Sequence, residues 1–279
     1  MARRPRRSGR TLTAHAILAF FTLVALSPVA LIVMNAFKSR RAIFSSPLAL
    51  PTPSTFDPVG FSTVLGEGHF QVWFANSVIV TVVSIAATLL FGAMAAFALS
   101  EYKFRLNALT SLFLTIGLMV PIRLGTVGIL EMMVAGGLVN TRTALILVYT
   151  AQSLPMAVFV LDEFMRGLSG ELKDAGRVDG LSEYRIFFGL VLPLLRPAMV
   201  SVAMFAMIPI WNDLWFPLIL APGEDTKTIT LGAQVFIGQF VTDWNAVLAA
   251  LSLSIVPVMA LYLLFSRGLI RGITAGAVK

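Results

Sequence analysis

Cysteine is missing from this 279-residue chain, which excludes a disulfide framework, a thiolate nucleophile and any Cys-ligated metal site. Histidine is almost missing, since His15 and His69 are the only two and each stands isolated. No His-Glu-x-x-His pair, metal-spaced cluster or Ser/His/Asp set is present, so hydrolase and metalloenzyme chemistry lack their residues. The phosphate-cradling pattern G-x-x-x-x-G-K-[ST] is also absent, so ATP, if it drives this protein, is held by another polypeptide. No repeat of about 20 to 50 residues occurs. Charge is scarce as well: Asp, Glu, Lys and Arg make up 13% of the chain, against about 25% in soluble domains.

What remains is apolar. The composition is 57% hydrophobic with a mean hydropathy of +0.87, which belongs to the membrane class. The net charge of +7 does not mark a nucleic-acid partner, because the Lys and Arg residues sit between apolar runs and form no basic patch with stacking aromatics. They act instead as topology determinants. Residues 1–13 carry Arg3, Arg4, Arg6, Arg7 and Arg10 ahead of an apolar run over 14–37, longer than the ~7 to 15 residues of a secretory signal core. The expectation is a cytoplasmic basic N-terminus over 1–13, then one transmembrane domain over 14–279. Six spans are expected, at 14–37, 74–99, 108–132, 143–161, 197–220 and 244–265, since roughly 20 apolar residues cross a bilayer. With both termini inside, fifteen basic residues fall on the cytoplasmic side and five on the outer side, which agrees with the positive-inside bias. Lys38, Arg40 and Arg41, at the outer end of the first span, run against it. The outer loop 38–73, rich in Pro and Ser, reads as extended with one interfacial helix around 58–65.

The longest polar interruption in the second half is 168–197, LSGELKDAGRVDGLSEYRIFFGLVLPLLRP. Leu168, Leu172, Ala175 and Val178 share one helical face, with Ser169 as N-cap. Asp179-Gly180 is a turn signal, because glycine accepts positive φ. Ser182 and Glu183 open a second helix whose apolar face reads Tyr184, Phe187, Phe188, Val191 and Leu192. Pro193 and Pro197 then stop or kink the chain, and the small pair Ala175-Gly176 lets another surface approach the first helix.

The spacing Asp174-Ala175-Gly176, three residues, Gly180, nine residues, Leu190-x-Leu192-Pro193 resembles the EAA signature of membrane-spanning ABC importer subunits. Asp174 stands where Glu is usual and Gly176 where the second Ala is usual. FKSRRAIFSSPLALP, ALSEYKFR, the Trp211-Asn212-Asp213 triplet and GITAGAVK are similar, in the same order, to the carbohydrate-uptake, maltose-type branch. The resemblance implies an all-α permease of the bacterial or archaeal cytoplasmic membrane, with a coupling helix between spans four and five. It further implies ATPase docking through Asp174, Ala175, Gly176, Arg177, Asp179, Gly180 and Tyr184. The implied partners are a second permease, a dimer of ATP-binding subunits carrying ATP and Mg, an extracytoplasmic solute-binding protein and membrane lipid. No cofactor on this chain and no nucleic acid are implied. Sugar, polyol and glycerophosphodiester cargoes share this loop.

Charge inside lipid is costly and faces a cavity or a partner. Arg123, just after Pro121, and Asp213 both lie about 14 to 16 residues into outward-running spans, roughly 21 to 24 Å from the inner end at 1.5 Å per residue. Trp211, Asn212, Asp213 and Arg123 are therefore candidates for a translocation path, where an indole beside amide and carboxylate suits a sugar. The alternatives are a structural Arg123–Asp213 pair and an interfacial aromatic belt holding Trp211 and Trp215. Pro121 and Pro155 predict kinks. Two other classes compete. A secondary transporter needs midplane coupling carboxylates and often shows inverted repeats, and an intramembrane enzyme needs a convergent catalytic cluster.

Overall fold

The structure, a computed structural model, describes residues 8–66, 69–237 and 242–277, with side chains undescribed at 8–11, 261–262 and 264–277. Arg3, Arg4, Arg6 and Arg7 and the last two residues of the C-terminal tail therefore lie outside the described residues. The described chain is helical, with isolated bridges as its only β pairing. In order the helices are α1 (Ser8–Ala36), α2 (Arg40–Ser45), α3 (Val59–Gly66), α4 (Phe70–Glu101), α5 (Asn107–Met119), α6 (Thr126–Ala135), α7 (Arg142–Arg166), α8 (Gly170–Val178), α9 (Glu183–Arg185), α10 (Leu192–Leu194), α11 (Arg196–Asn212), α12 (Trp215–Leu220), α13 (Ile229–Ala233) and α14 (Trp244–Ala277). Two compact units form, one from residues up to Phe70 with Ala233–Val256, the other from Gln71–Gly232 with the remainder of α14.

In the first unit α1 is apolar all round, and its apolar window buries none of its surface in the protein. A helix of this kind needs lipid as its solvent. The loop after it is folded, which corrects the extended reading. Lys38 pairs with Phe56 in an antiparallel bridge, Ser39 N–H donates to Thr55 O at 2.9 Å, and Phe37 packs on Phe61 with ring centroids 4.7 Å apart. The Lys38 ammonium, which ran against the charge bias, is buried and donates to the Ser46 and Pro47 carbonyls at 2.9 and 3.3 Å. Its own carbonyl accepts from the Asn245 amide at 2.7 Å. Helix α3 falls where the interfacial helix was expected, and α2 was not foreseen.

In the second unit Gly92 of α4 lies against α7, where a Cβ on the glycine would fall 2.8 Å from Ala157 Cβ, and Ala93, Ala96 and Ala157 belong to one core with Leu161, Ile186 and Val202. Close approach of this kind lets helices pack where water drives no association. A second core gathers Val80, Leu145, Val148, Tyr149, Ile210 and Phe216.

Three helices are long and apolar enough to cross a membrane, α1, α4 and α7, and up to five spans result if two bent pairs each count as one. The expected continuous third span is instead broken: Asn107–Met119 and Ile122–Ala135 meet at 93°. Pro121 sits at that break, where it lacks an amide to continue the helix and holds the preceding residue extended. The expected fifth span is likewise interrupted. Helix α11 ends at Asn212, Asp213 is extended, and α12 begins at Trp215. A 72° bend separates Glu183–Leu194 from Arg196–Asn212, next to Pro193 and Pro197. Pro155 by contrast stays within a continuous α7. In α14 the apolar stretch Trp244–Ala260 falls short of span length among the described residues.

Candidate functional site

Local rules build the 168–197 loop. Ser169 Oγ accepts from Glu171 N–H at 3.3 Å, capping α8, and Glu171 and Arg177 sit at the ends that the helix dipole favours. At the other end Leu181 N–H donates to Gly176 O and Gly180 N–H to Arg177 O, both at 3.0 Å, with Gly180 at φ 75°. This is the Schellman closure, and Gly180 supplies the left-handed residue it needs. Ser182 Oγ caps the next turn through Arg185 N–H at 3.4 Å.

The second helix departs from the expected register. Residues Ile186–Val191 form a π-helix, whose wider turn places Ile186 and Val191 together. Ile186, Phe187 and Val191 are buried, whereas Tyr184 is 75% exposed and Phe188 about half. Of the expected apolar face, Phe187, Val191 and the half-buried Leu192 pack on the core, whereas Tyr184 and Phe188 do not, and Ile186 takes their place. Gly176 is buried too, with a Cβ position 3.1 Å from Leu190 Cδ1 and 3.2 Å from Ile186 Cγ1. The surface that approaches the small pair is the chain's own second helix, so Gly176 faces inward. Asp174, Ala175, Val178, Asp179, Gly180 and Tyr184 face outward.

Arg177 also turns inward. Its Nε donates to Glu183 Oε1 at 2.8 Å, Nη1 to Asp174 Oδ1 at 2.9 Å and Nη2 to Glu101 Oε1 at 2.8 Å. Lys173 binds the other Glu101 oxygen. Tyr102 Oη donates to Glu183 Oε2 at 2.8 Å. Arg177 holds the Glu183 carboxyl below the usual carboxylate range, with Tyr102 adding to the effect. Burial, reinforced by Glu183, pushes the Tyr102 phenol up to about 12. Glu101 and Tyr102 escaped the sequence reading, although they lie in the ALSEYKFR segment that carried part of the resemblance.

A second polar site forms where the two broken helices meet. Asp213 accepts four hydrogen bonds: Oδ1 from Arg123 Nη2 and Trp215 N–H, both at 3.3 Å, and Oδ2 from Tyr149 Oη at 2.9 Å and Phe216 N–H at 3.1 Å. It therefore serves as the cap of α12. Trp215 Nε1 reaches Thr126 Oγ1 at 3.0 Å and ties the same two breaks together. The cleft holds about 240 Å³ and is lined by Arg123, Tyr149, Gln152, Asn212, Asp213 and Phe216, among others. Arg123, Asn212 and Asp213 come together as expected, although the equal-depth argument assumed straight helices. Trp211 does not join them, since it is buried and packs edge-on to Phe74 at 6.1 Å. That corrects its place in the path. Tyr149 and Gln152, three residues apart on α7, were the signal overlooked. No cluster of His, Cys, Asp or Glu suited to a metal occurs among the described residues.

Comparison with known families matches residues 88–275 to "Binding-protein-dependent transport system inner membrane component". The chain is 36% identical over 263 residues, 94% of each chain, to "Putative ABC transporter permease protein ORF2" of Caldicellulosiruptor sp.. It is 32% identical over 95% of its length to "Diacetylchitobiose uptake system permease protein NgcG" of Streptomyces coelicolor, covering 88% of that protein. It is also 32% identical to "Arabinooligosaccharides transport system permease protein AraQ" of Halalkalibacterium halodurans, over 94% of each chain. A crystal structure of a bacterial ABC transporter for alginate import shares the fold, with TM-score 0.80 at 20% identity over 95% of this chain and 99% of that one. The chain belongs to the inner membrane components of binding-protein-dependent transport systems, and it is a permease of the ABC importer type.

Proposed function

We propose that this chain is one half of the translocation path of a sugar or oligosaccharide importer. It crosses the bacterial or archaeal cytoplasmic membrane six times as one permease domain over 14–279, with both termini inside. A second, similar permease lies beside it, two ATPase subunits carrying ATP and Mg dock below, and an extracytoplasmic solute-binding protein delivers the cargo. The relatives' cargoes, diacetylchitobiose and arabinooligosaccharides by their names, support the substrate class. The polar lining of Arg123, Gln152, Asn212 and Tyr149 suits hydroxyl groups.

One observation carries the docking reading. The signature spacing falls on a capped, Schellman-closed pair of helices that presents Val178, 87% exposed, and Tyr184 outward, with Leu172 and Phe188 also exposed beside them. Exposed apolar side chains in such a setting mark a partner surface. Docking then runs through Asp174, Ala175, Asp179, Gly180 and Tyr184. ATP-driven closure moves the docked loop, and the spans alternate access. A two-state equilibrium shifts only through differential affinity, so these contacts differ between the two states.

The test is an affinity pull-down of tagged chain from mild-detergent extracts, comparing wild type with Gly180→Trp, which no L side chain accommodates easily at φ 75°. Wild type brings down a second permease and an ATPase, and the variant loses the ATPase alone. A correctly inserted wild type that recovers no ATPase in several detergents overturns the reading. Solute uptake by the lone chain in liposomes under an ion gradient would then make it a secondary transporter.

A further inference from the structure

A coupling helix transmits force only through what it is fastened to. By backbone, α8 joins α7 on one side and α9 on the other, and neither connection reaches α4. The link to α4 is ionic: Arg177 spends its three guanidinium nitrogens on carboxylates from three elements, Asp174 of α8, Glu183 of α9 and Glu101 at the end of α4. Lys173, one turn earlier on α8, takes the second oxygen of Glu101, whose side chain is only 12% exposed. Apolar contact backs the ionic one, with the Phe97 ring of α4 5.3 Å from that of Phe187. Asn107 closes the turn after α4 by donating to the Leu99 and Tyr102 carbonyls at 2.9 and 2.8 Å. Charge-assisted bonds with both partners so engaged are geometrically specific, and they leave Arg177 little to offer a partner subunit.

We propose that Arg177, with Lys173, is a positioning residue that fastens the coupling helix to the inner end of α4 through Glu101, so that α8 and α4 move as one body while the outward face of α8 meets the ATPase. The proposal rests on the docking reading above, and reassigns Arg177 within it. The span that receives the stroke directly is then α4, 76 residues away in sequence from Arg177.

Because the chain has no cysteine, two introduced ones suffice for site-specific spin labels. Lys103→Cys and Glu171→Cys are exposed, beyond the end of α4 and in the first turn of α8. Pulsed dipolar distances are measured in the lone solubilised chain, and in the complex with the ATPase without nucleotide and with ATP plus vanadate. The expected result is one narrow distance distribution whose peak moves less than about 2 Å between states, the scale of a rigid helix shift. Arg177→Met broadens the distribution while the ATPase still copurifies. Glu101→Gln does the same from the α4 side, and covers the case in which the arginine variant fails to fold. A larger shift in the wild-type complex, or unchanged widths in both variants, overturns the proposal. Loss of the ATPase from Arg177→Met at unchanged width overturns it too, and returns Arg177 to the docking surface. If wild type captures no ATPase, the docking reading fails by itself, and the widths in the lone chain decide the attachment.

Discussion

Arg177 and Arg123 carry the same five N–H donors, yet the structure uses them in opposite ways. Arg177 binds three carboxylates, and its side chain is 33% exposed. Arg123 makes one ion-pair contact, at 3.3 Å, and is 65% exposed. The acids invert this order. Asp213, the partner of Arg123, is 8% exposed and accepts four bonds, whereas Asp174, a partner of Arg177, is 71% exposed and accepts only from that arginine. A charged group whose hydrogen-bonding capacity is spent inside the chain is scaffold, and one with capacity left in open space is available to something else. By that measure Arg177 and Asp213 hold the structure, while Arg123 and Asp174 keep capacity free in open space, as the proposed ligand and partner contacts require.

The largest effect belongs to Asp213. Asp213→Ala leaves the part-buried Tyr149 hydroxyl and Phe216 amide, and the more exposed Trp215 amide, without their acceptor, which costs about 3 kcal/mol. Thermal unfolding of the purified chain in detergent reads this directly. If Asp213→Ala is no less stable than Arg123→Ala, the contrast between a fixed acid and an open base is wrong.

Glu101→Gln comes next, at about 1 to 2 kcal/mol, because one charge that serves both Lys173 and Arg177 becomes a neutral amide. The loss stays below that of Asp213→Ala, since Arg177 is partly exposed and regains water. The same unfolding assay ranks the two, and a reversed order would make the loop network, rather than the cleft, the stiffer element.

Arg123→Ala sharpens the comparison from the other side. An ion pair with one partner this exposed contributes under about 1 kcal/mol, so stability barely changes. Uptake through the assembled transporter nevertheless falls at least about tenfold, the factor that ~1.4 kcal/mol of lost cargo interaction gives. Unchanged uptake at unchanged stability would leave Arg123 as mere decoration of the Asp213 cap.

The features legible in the sequence were those governed by local rules. Ser169, Ser182 and Gly180 could be read as caps and a turn because capping depends on the residue itself and its immediate neighbours. The stripe on the second helix was misread because the period changed. A π-turn at Ile186–Val191 obeys packing against α4 and α8, which a 3.6-residue count does not contain. Trp211 was misplaced for a similar reason: its polar neighbours Asn212 and Asp213 lie at the helix end, while the indole still follows the buried face of α11. Tyr149, Gln152 and Glu101 went unnoticed because each pairs with a residue 60 or more positions away or lines a wall built by other helices. Pro121 was recognised as a kink, but a 93° bend is set by what packs on either side.

Gly176→Ala tests the smallest difference, and here two terms of similar size oppose each other. Alanine in a helix interior is favoured over glycine by about 1 kcal/mol. Against it, the new Cβ would lie 3.1 Å from Leu190 Cδ1 and 3.2 Å from Ile186 Cγ1, so those neighbours must yield by a few tenths of an ångström. Overpacking of a well-filled site costs about 1 to 3 kcal/mol, and because Leu190 Cδ1 is a side-chain tip that can move, with only Ile186 Cγ1 held in a buried residue, the cost falls toward the low end. The net change in stability is expected within about 0.5 kcal/mol of zero, and ATPase capture should be unchanged because the methyl group points into the chain. Gly176→Leu, whose far larger side chain overfills the same contact with Leu190 and Ile186, should instead push α8 away from the second helix and weaken capture. A clear drop in ATPase recovery with the alanine variant at unchanged stability would show that position 176 meets the partner after all, and the inward-facing assignment of α8 would have to be rotated.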